Sequence, residues 1–433
     1  MPAASTSGNN DFPDDHFIYR QDVLLMQRII DYLESQSEKV IALQSRLVAI
    51  PALGPANQGG GEKAKADFLK TCLQDNGFSD ILEVNAPDSR VDCGYRPNLI
   101  ARLPGNNSQK NLWIISHLDI VPPGDSRLWN SDPFELKVEG DKIYGRGVED
   151  NHQGIVSSLL SCLAFKEQGQ SPDINIGLVF VSDEETGNKF GLPYVLDHRK
   201  DLFNTRDLFL IPDFGTSDSR MMEVAEKSML WIKVSVQGKQ CHASTPDKGI
   251  NSLVASAAFI LKLEELQSIF PQKDDLFTPG NSTFCPTKKE ANVPNVNTIP
   301  GLDVFYIDCR ILPECDVQEV YDQVRLLGKD IENKYNVRID SEIVLEEQSA
   351  PPTDPSSEVV LRLARSIERV YAVQPRAQGV GGGTVAAFLR RREYPAVVWS
   401  TLTGTAHQPN ECSSIQNTLK DAQVMALMAI DHD

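Results

Sequence analysis

Three short apolar runs, each followed by acidic or histidine side chains, constrain the fold of this chain more than any other feature. The runs and their polar followers are 113–115 with His117 and Asp119, Ile174–Val181 with Glu184 and Glu185, and Leu208–Ile211 with Asp213. Apolar runs of this length are typical of buried strands, and helical patterns separate them. Alternating strands and helices favour an α/β layered domain, whose functional residues gather at the carboxyl ends of the strands.

A different pattern begins near Ser228 and ends before the proline-rich segment 351–355. Strand-like runs at 229–236, 304–310 and 337–344 are interleaved with helical patterns at 252–270 and Val317–Tyr335. With one further strand between the first helix and the second run, this is the β-α-β-β-α-β order of ferredoxin-like domains. We therefore predict that residues 1–227 and 346–433 form one domain and that residues 228–345 are inserted into it.

Length and charge limit the class of protein. A chain of 433 residues is too long for one hydrophobic core, which favours two domains. Its net charge of −18 makes nucleic acids and anionic membranes poor partners. Residues 1–15 lack the apolar core of a secretory signal, and no run of about 20 apolar residues exists to span a membrane. The eight cysteines form no Cys-x-x-Cys pair, which indicates thiols in a reducing compartment and a cytoplasmic location.

Six side chains that follow strand-like runs or lie in glycine-rich loops could hold metal ions. They are His117, Asp150, Glu184, Glu185, Asp213 and His407. Two imidazoles and several carboxylates, without a thiolate, suit zinc in a catalytic site, with manganese or cobalt as alternatives. The excess of carboxylates indicates two ions that share one carboxylate.

The adjacent acids Glu184 and Glu185 suggest a division of labour. One of them can ligate a metal while the other takes a proton from a metal-activated water and passes it to a leaving nitrogen. Taken singly, an acidic triplet also suits a solvated turn, and the pair His117 and Asp119 also suits a surface hydrogen bond. The recurrence of candidate ligands along the chain favours the metal site.

Five motifs carry a family resemblance that spans almost the whole chain. They are Ser116-His117-Leu118-Asp119, Gly145-Arg146-Gly147-Val148-Glu149-Asp150, Ser182-Asp183-Glu184-Glu185-Thr186-Gly187, Cys241-His242-Ala243-Ser244 and Ala406-His407-Gln408-Pro409-Asn410-Glu411. In this order they resemble the M20 family of di-metal peptidases and deacylases, which includes aminoacylases, acetylornithine deacetylase, succinyl-diaminopimelate desuccinylase and glutamate-releasing carboxypeptidases. The resemblance implies an α/β, mixed-sheet, zinc-peptidase-like catalytic domain with an inserted ferredoxin-like α+β domain for the lid and for dimerisation.

The resemblance also implies a role for each residue of the metal site. His117 and Asp213 would hold one ion, Glu185 and His407 would hold the other, and Asp150 would bridge both. Asp119 would orient His117, and Glu184 would be the general base and acid. A cis peptide bond is implied between Asp150 and Asn151.

Residues of the inserted domain and one loop resemble the substrate-binding parts of the family. His242 resembles a lid histidine that reaches the partner subunit's site and polarises the substrate carbonyl. Asn297 and Arg310 resemble residues that bind the substrate's carbonyl oxygen and carboxylate, and an arginine fork suits a carboxylate. The loop Gly381-Gly382-Gly383-Thr384 resembles the family's glycine-rich substrate loop, which would place Gly383 and Thr384 at the substrate.

Two departures from the family pattern stand out. After Asp150 the family often has x-Lys-Gly, whereas this chain has Asn151-His152-Gln153-Gly154. We expect His152 to lie on the surface at a helix start, the alternative being an extra polar group near the metals. The glycine-rich loop continues into Val385-Ala386-Ala387-Phe388 rather than the Ser-Asp-x-Arg-Phe of desuccinylases, which weakens transfer of that substrate.

These expectations converge on a metal-dependent hydrolase that cleaves an amide bond of a small N-acyl amino acid or short peptide with a water activated by two metal ions. A dipeptidase or carboxypeptidase is the alternative to a deacylase. An inactive metal-binding dimeric scaffold is the alternative outside the enzymes, and its mark would be a lost base or ligand. We expect a homodimer formed through the inserted domain.

Overall fold

The computed structural model describes residues 15–430 of the chain. Its helices are α1 Asp15–Glu34, α2 Ser37–Val48, α3 Lys63–Asp75, α4 His152–Glu167, α5 Leu192–His198, α6 Ser252–Lys262, α7 Leu266–Ile269, α8 Val317–Tyr335, α9 Glu358–Tyr371, α10 Ala386–Arg390 and α11 Ile415–Met428. Its strands are β1 Asp80–Glu83, β2 Ala86–Pro87, β3 Tyr95–Arg96, β4 Leu99–Leu103, β5 Asn107–His117, β6 Lys137–Glu139, β7 Lys142–Tyr144, β8 Ile174–Val181, β9 Leu208–Ile211, β10 Met221–Glu226, β11 Ser228–Gln237, β12 Cys241–His242, β13 Thr283–Lys289, β14 Thr298–Ile299, β15 Leu302–Ile311, β16 Arg338–Glu347, β17 Arg376–Val380, β18 Ala396–Val398 and β19 Cys412–Ser414.

The described chain divides into two compact units. The first holds residues 15–185, 365–372 and 402–430, and the second holds residues 186–364 and 373–401. The segment from β11 to β16 therefore lies within the second unit.

The first unit contains a mixed run of strands in the order β1-β4-β8-β5. Strand β5 is parallel to β8, whereas β4 is antiparallel to both β1 and β8. All eight residues of β8 are buried, and helices α4 and α11 pack together with α4 against β5 and β8. Gly177 of β8 pairs with Trp113 of β5, and a Cβ at this glycine would lie 2.1 Å from the indole. His117 therefore lies at the carboxyl end of β5, next to the fully buried strand β8.

The second unit contains two sets of strands. The first set has the order β9-β18-β10-β17, with the pairs β9–β18 and β10–β17 parallel. The second set has the order β13-β15-β11-β16, and all of its pairs are antiparallel. Numbered along the chain, this second order is 2-3-1-4, which is 4-1-3-2 when read from the opposite edge, and helices α6 and α8 connect the strands. The ferredoxin-like arrangement is confirmed, and β13 is the strand that the sequence pattern required but did not mark.

Local sequence explains the ferredoxin-like elements. Leu230, Ile232, Val234 and Val236 alternate along β11 and are fully buried, while helices α6 and α8 pack over the same core. Asp316 caps α8 by accepting hydrogen bonds from the backbone N–H groups of Gln318 and Glu319. The mixed α/β fold class is therefore confirmed.

Other expectations have mixed outcomes. All eight cysteines are free thiols, while the reducing compartment stays a prediction. The boundaries 228 and 345 of an inserted domain also stay a prediction, and residues 1–14 of the predicted non-signal segment lie outside the described residues. Within residues 15–430, no helix is both long enough and apolar enough to cross a membrane.

Candidate metal centre

His117 ends strand β5 with a buried imidazole whose two nitrogens have different partners. Its Nδ1 lies 2.9 Å from the backbone carbonyl oxygen of Asp119, and its Nε2 lies 2.8 Å from Oδ1 of Asp150. A carbonyl oxygen only accepts, so Nδ1 carries the proton and donates it. When the ring is protonated on both nitrogens, Nε2 donates to the carboxylate of Asp150. When the ring is neutral, the lone pair on Nε2 faces that carboxylate, an arrangement that a cation between them would stabilise.

Asp150 stands between two imidazoles. Its other oxygen, Oδ2, lies 3.1 Å from Nε2 of His407, which also lies 3.1 Å from Oε1 of Glu185. Hydrogen bonds to Asp150 and Glu185 raise the pKa of His407 to about 10. Burial works to raise the pKa of Asp150, but hydrogen bonds from His117 and His407 outweigh it and hold that pKa well below its usual range. The site therefore favours positive charge at the points where both imidazoles meet Asp150.

These donors fit divalent metal ions. In the first unit, ligand atoms of Asp150, Glu185 and His407 lie within 4.8 Å of one another, as do those of His117, Glu184 and Glu185. Burial raises the pKa of Glu185, and a positive charge beside this carboxylate, on His407 or on a metal ion, favours its ionised form. Imidazole nitrogens and carboxylate oxygens without a thiolate suit zinc, manganese or cobalt. The residues present therefore fit the metal centre that the resemblance implies.

Asp119 holds more of the site than the sequence predicted. Its carboxylate oxygens accept hydrogen bonds from the backbone N–H groups of Glu184 at 3.1 Å and Glu185 at 3.0 Å. Its Oδ1 lies 3.6 Å from Nδ1 of His117, too far for a hydrogen bond, and the backbone carbonyl makes that contact instead. Asp119 thus joins the His117 strand end to the Glu184–Glu185 turn.

A buried arginine fixes the other side of the same turn. Arg96 is fully buried, donates to the carboxylate of Glu62 at 2.6 Å through Nε, and lies 3.3 Å from Oδ1 of Asp183. Asp183 has a φ of +66°, in the left-handed region that side chains other than glycine rarely adopt. The Arg96 contact helps to hold this backbone in place directly before Glu184, and no motif in the sequence indicated it.

The prediction that His152 lies on the surface is wrong. His152 is 0% exposed, and its Nε2 lies 2.7 Å from Nζ of Lys65, which is also 0% exposed. A Cβ at Gly147, where φ is +88°, would lie 2.7 Å from the ring of His152. Glycine at this position therefore leaves the space that the imidazole fills. The structure also confirms the cis peptide bond between Asp150 and Asn151.

The second unit brings His242 and Asn297 together. Strand β12 pairs with β14, which places His242 opposite Thr298, and the backbone N–H of Ala243 donates to the carbonyl of Asn297 at 2.9 Å. The backbone N–H of Ser244 donates to Nδ1 of His242 at 3.1 Å. Nδ1 is therefore an acceptor, and the neutral ring presents Nε2–H as a donor.

Arg310 and the glycine-rich loop are also close in the second unit. The guanidinium donates to both carboxylate oxygens of Asp308, at 2.8 and 3.0 Å, and to the carbonyl of Gly381 at 2.7 Å. A Cβ at Gly383 would lie 3.3 Å from the carboxylate of Glu347. Any substrate carboxylate here would therefore have to compete with Asp308 for the arginine fork.

Thr384, the last residue of the glycine-rich loop, contacts a buried cluster of charged side chains formed by Glu223, Glu226 and Arg390. Its hydroxyl donates to Glu226 at 2.5 Å, and Arg390 donates to Glu223 at 2.8 Å. Glu223 and Glu226 are 0% and 1% exposed, and neither was singled out from the sequence. Asp213, the remaining predicted ligand, follows β9 in the second unit and is half-buried.

Comparison with known proteins identifies the family. Residues 113–431 match the family model described as Peptidase family M20/M25/M40. The chain belongs to this family. It is 40% identical over 414 residues to an uncharacterised metallohydrolase of Methanococcus maripaludis, which covers 90% of this chain and 99% of that protein. The chain is therefore an M20 metallohydrolase.

Two more distant matches have names that describe different reactions. A succinyl-diaminopimelate desuccinylase of a Sulfurovum species is 26% identical over 317 residues, covering 72% of this chain and 80% of that protein. The crystal structure of human carnosine dipeptidase 1 matches with a TM-score of 0.68 at 17% identity, covering 94% of this chain and 98% of that one. At 17% identity, the match to the dipeptidase structure shows a shared fold only.

Proposed function

We propose that this M20 chain hydrolyses an amide bond of a small N-acyl amino acid or short peptide, using two divalent metal ions with zinc favoured over cobalt or manganese. One observation supports it above all others. Asp150 presents one carboxylate oxygen to His117 at 2.8 Å and the other to His407 at 3.1 Å. A carboxylate that faces two imidazoles in this way suits a ligand shared by two ions.

The proposed ligand sets follow from this geometry and from the family resemblance. His117 would hold one ion together with Asp213, and His407 and Glu185 would hold the other. The contact between His407 and Glu185 at 3.1 Å supports the second set. Asp213 lies in the second unit, and its assignment is taken from the resemblance. When bound, the ions would polarise the substrate carbonyl and acidify a water molecule.

Glu184 is the proposed general base and acid. Its carboxylate has an oxygen within 4.8 Å of ligand atoms of His117 and Glu185, while its backbone is held by Asp119. From this place it would accept a proton from the attacking water and donate it to the departing amine nitrogen. A carboxylate that is half-buried yet not required as a ligand suits this role.

The second unit supplies the proposed substrate contacts. His242 would donate its Nε2–H to the substrate carbonyl oxygen, with Asn297 beside it. Arg310, Gly383 and Thr384 would bind the substrate carboxylate. We also propose that the ferredoxin-like segment acts as the lid and forms the homodimer, so that closure excludes water from the site.

A dipeptidase or carboxypeptidase is the alternative to a deacylase. The desuccinylase relative favours N-acyl substrates. The continuation of the glycine-rich loop into Val385 rather than Ser-Asp weakens succinyl-diaminopimelate as the specific compound. An inactive scaffold is less well supported, because the chain retains all five proposed ligands and Glu184.

An activity screen with metal analysis tests the proposal. The full chain, loaded with zinc, cobalt or manganese, is offered N-acetyl and N-succinyl amino acids and a dipeptide panel. Release of acetate or succinate supports the deacylase, and release of two amino acids supports the dipeptidase. Glu184→Ala protein prepared in parallel excludes a contaminating hydrolase. Metal binding without turnover on either panel would favour the scaffold.

A further inference from the structure

The loops that carry Asp150 and His407 lie side by side at one edge of a small three-stranded sheet, the first following β7 and the second preceding β19. Strand β7 ends at Tyr144, just before the Gly145–Asp150 loop, and pairs with β19, which begins at Cys412 just after His407. His407 has a φ of +62°, in the left-handed region. A histidine held there needs surrounding contacts to keep its backbone in place.

Glu149 supplies those contacts to the His407 loop. Its side chain accepts hydrogen bonds from the backbone N–H groups of Thr403, Gly404 and Thr405, and from both threonine hydroxyls. The Gly404 contact is 2.9 Å, and the hydroxyl contacts are 2.7 and 2.9 Å. Glu149 is 1% exposed, so water competes little for these bonds. The neighbour of Asp150 therefore organises the segment that leads to His407.

Glu411 supplies the corresponding contacts to the Asp150 loop. Its carboxylate accepts from the backbone N–H groups of Gly147, Glu149 and Asp150 at 2.9, 3.0 and 3.1 Å. Arg146 donates to the same carboxylate at 2.6 Å. Glu411 is 0% exposed and follows His407 by four residues. Each loop thus carries one proposed metal ligand and one carboxylate that holds the other loop.

We propose that Glu149 and Glu411 are a reciprocal pair of positioning residues, here called the loop clasp, that sets the separation of Asp150 and His407. The inference rests on the proposed metal centre and adds residues that would not touch the metal. A site whose ligands are held at the required separation binds its ion more tightly than one whose ligand loops drift apart. The clasp fixes the 3.1 Å approach of Nε2 of His407 to Oδ2 of Asp150.

A purely structural role makes a different prediction. Any buried carboxylate with several donors stabilises the fold, and its loss lowers the unfolding temperature without a selective effect on metal binding. Asp421 provides the matched control in the same unit. It is 0% exposed and accepts hydrogen bonds from Gln153 at 2.9 Å and from the Tyr371 hydroxyl at 2.7 Å.

The experiment measures zinc affinity of the metal-free full chain by competition with a chromophoric chelator, alongside the thermal midpoint without metal. Glu149→Gln and Glu411→Gln should each weaken zinc binding by about 10- to 100-fold. Asp421→Asn should lower the midpoint comparably while leaving zinc affinity within about twofold of wild type. In the double variant, the fold-loss of zinc affinity should be smaller than the product of the two single-variant losses. Both substitutions disturb the same separation of Asp150 and His407.

If a clasp variant does not fold, two milder substitutions at Thr403 test the same contact. Thr403→Ala removes one hydroxyl donor to Glu149, and Thr403→Ser restores it. The alanine variant should bind zinc more weakly than the serine variant. Zinc affinity unchanged in all clasp and Thr403 variants, or equally weakened in Asp421→Asn, would overturn the clasp. Failure of wild-type protein to bind zinc, cobalt or manganese would instead overturn the proposed function.

Discussion

The side-chain nitrogen of Lys65 lies 2.7 Å from Nε2 of His152, and both residues are fully buried. Burial lowers the pKa of Lys65 to about 7, although Asp119 and Glu62 favour its charged form. Nδ1 of His152 has no hydrogen-bond partner among the described residues. The pair therefore ties helix α3 to the start of α4, two residues after Asp150.

Lys65→Met should lower the free energy of unfolding by about 1–3 kcal/mol, because it leaves Nε2 of His152 buried without a partner. Chemical denaturation of the metal-free protein measures this loss. Lys63→Met is the control in the same helix, since Lys63 is exposed and pairs with Asp67 in an i,i+4 arrangement. Its effect should stay within about 0.5 kcal/mol, and an equal effect in both variants would contradict the role given to Lys65.

Glu184→Ala should reduce kcat by about 10²- to 10⁴-fold while leaving metal content unchanged, because the proposed base is not a proposed ligand. Steady-state kinetics on the substrate found in the screen, with metal analysis of the same sample, measures both. Wild-type turnover in this variant would remove Glu184 from the mechanism. Loss of metal would instead make it a ligand.

Asp119→Ala should weaken metal affinity or kcat by about 10- to 100-fold without removing a ligand, because the Glu184–Glu185 turn loses both of its carboxylate acceptors. Asp207→Asn is the comparison, since Asp207 is also 0% exposed and accepts from the backbone and side chain of Asn204. The comparison variant should retain metal affinity. Unchanged activity and metal content in Asp119→Ala would leave this carboxylate a purely structural role.

Removal and return of metal should change stability as well as activity. Zinc added to the metal-free protein at about 100 times its Kd should stabilise the fold by about 2.7 kcal/mol, because it binds the folded state. Calorimetry with and without zinc measures the shift in midpoint. His407→Ala should reduce the shift, since it removes an imidazole that lies 3.1 Å from both Asp150 and Glu185. An identical shift in that variant would place the zinc elsewhere.

Glu223 should make stability depend on pH. Burial raises the pKa of Glu223 to about 7, although Arg390 opposes the rise, so the folded state holds this proton at a pH where the unfolded state has released it. The stability that this group contributes is complete below the ordinary glutamate pKa, about 4.5, and is lost as pH rises through about 7. Glu223→Gln cannot ionise. Its thermal midpoint relative to wild type should therefore rise between about pH 5 and about pH 8.

A comparison variant isolates the effect of burial. Glu264→Gln replaces an exposed glutamate of the same unit and should leave the difference from wild type almost constant over this pH range. If the difference in thermal midpoint between Glu223→Gln and wild type is also constant over this pH range, Arg390 and Thr384 fully compensate the burial of the Glu223 charge.

Local patterns in the sequence determined the elements whose burial is regular. Strands β8 and β9 and helix α8 begin and end where their apolar runs predict. The recurrence of His117, Asp150, Glu185 and His407 after strands and in loops predicted a group that the first unit does bring together. The bounds of these elements could be predicted because side-chain periodicity reports directly on which face of an element is buried.

Only the tertiary structure decided how the buried charges are paired. Strand β10 was not predicted, because it carries the acidic residues Glu223 and Glu226. Both are buried against Arg390, which lies more than 160 residues later in the chain. His152 looked like a surface residue because its partner Lys65 lies 87 positions earlier. Burial of a charged side chain is tolerated only where a partner meets it, and that partner is set by how distant segments pack, which no local pattern records.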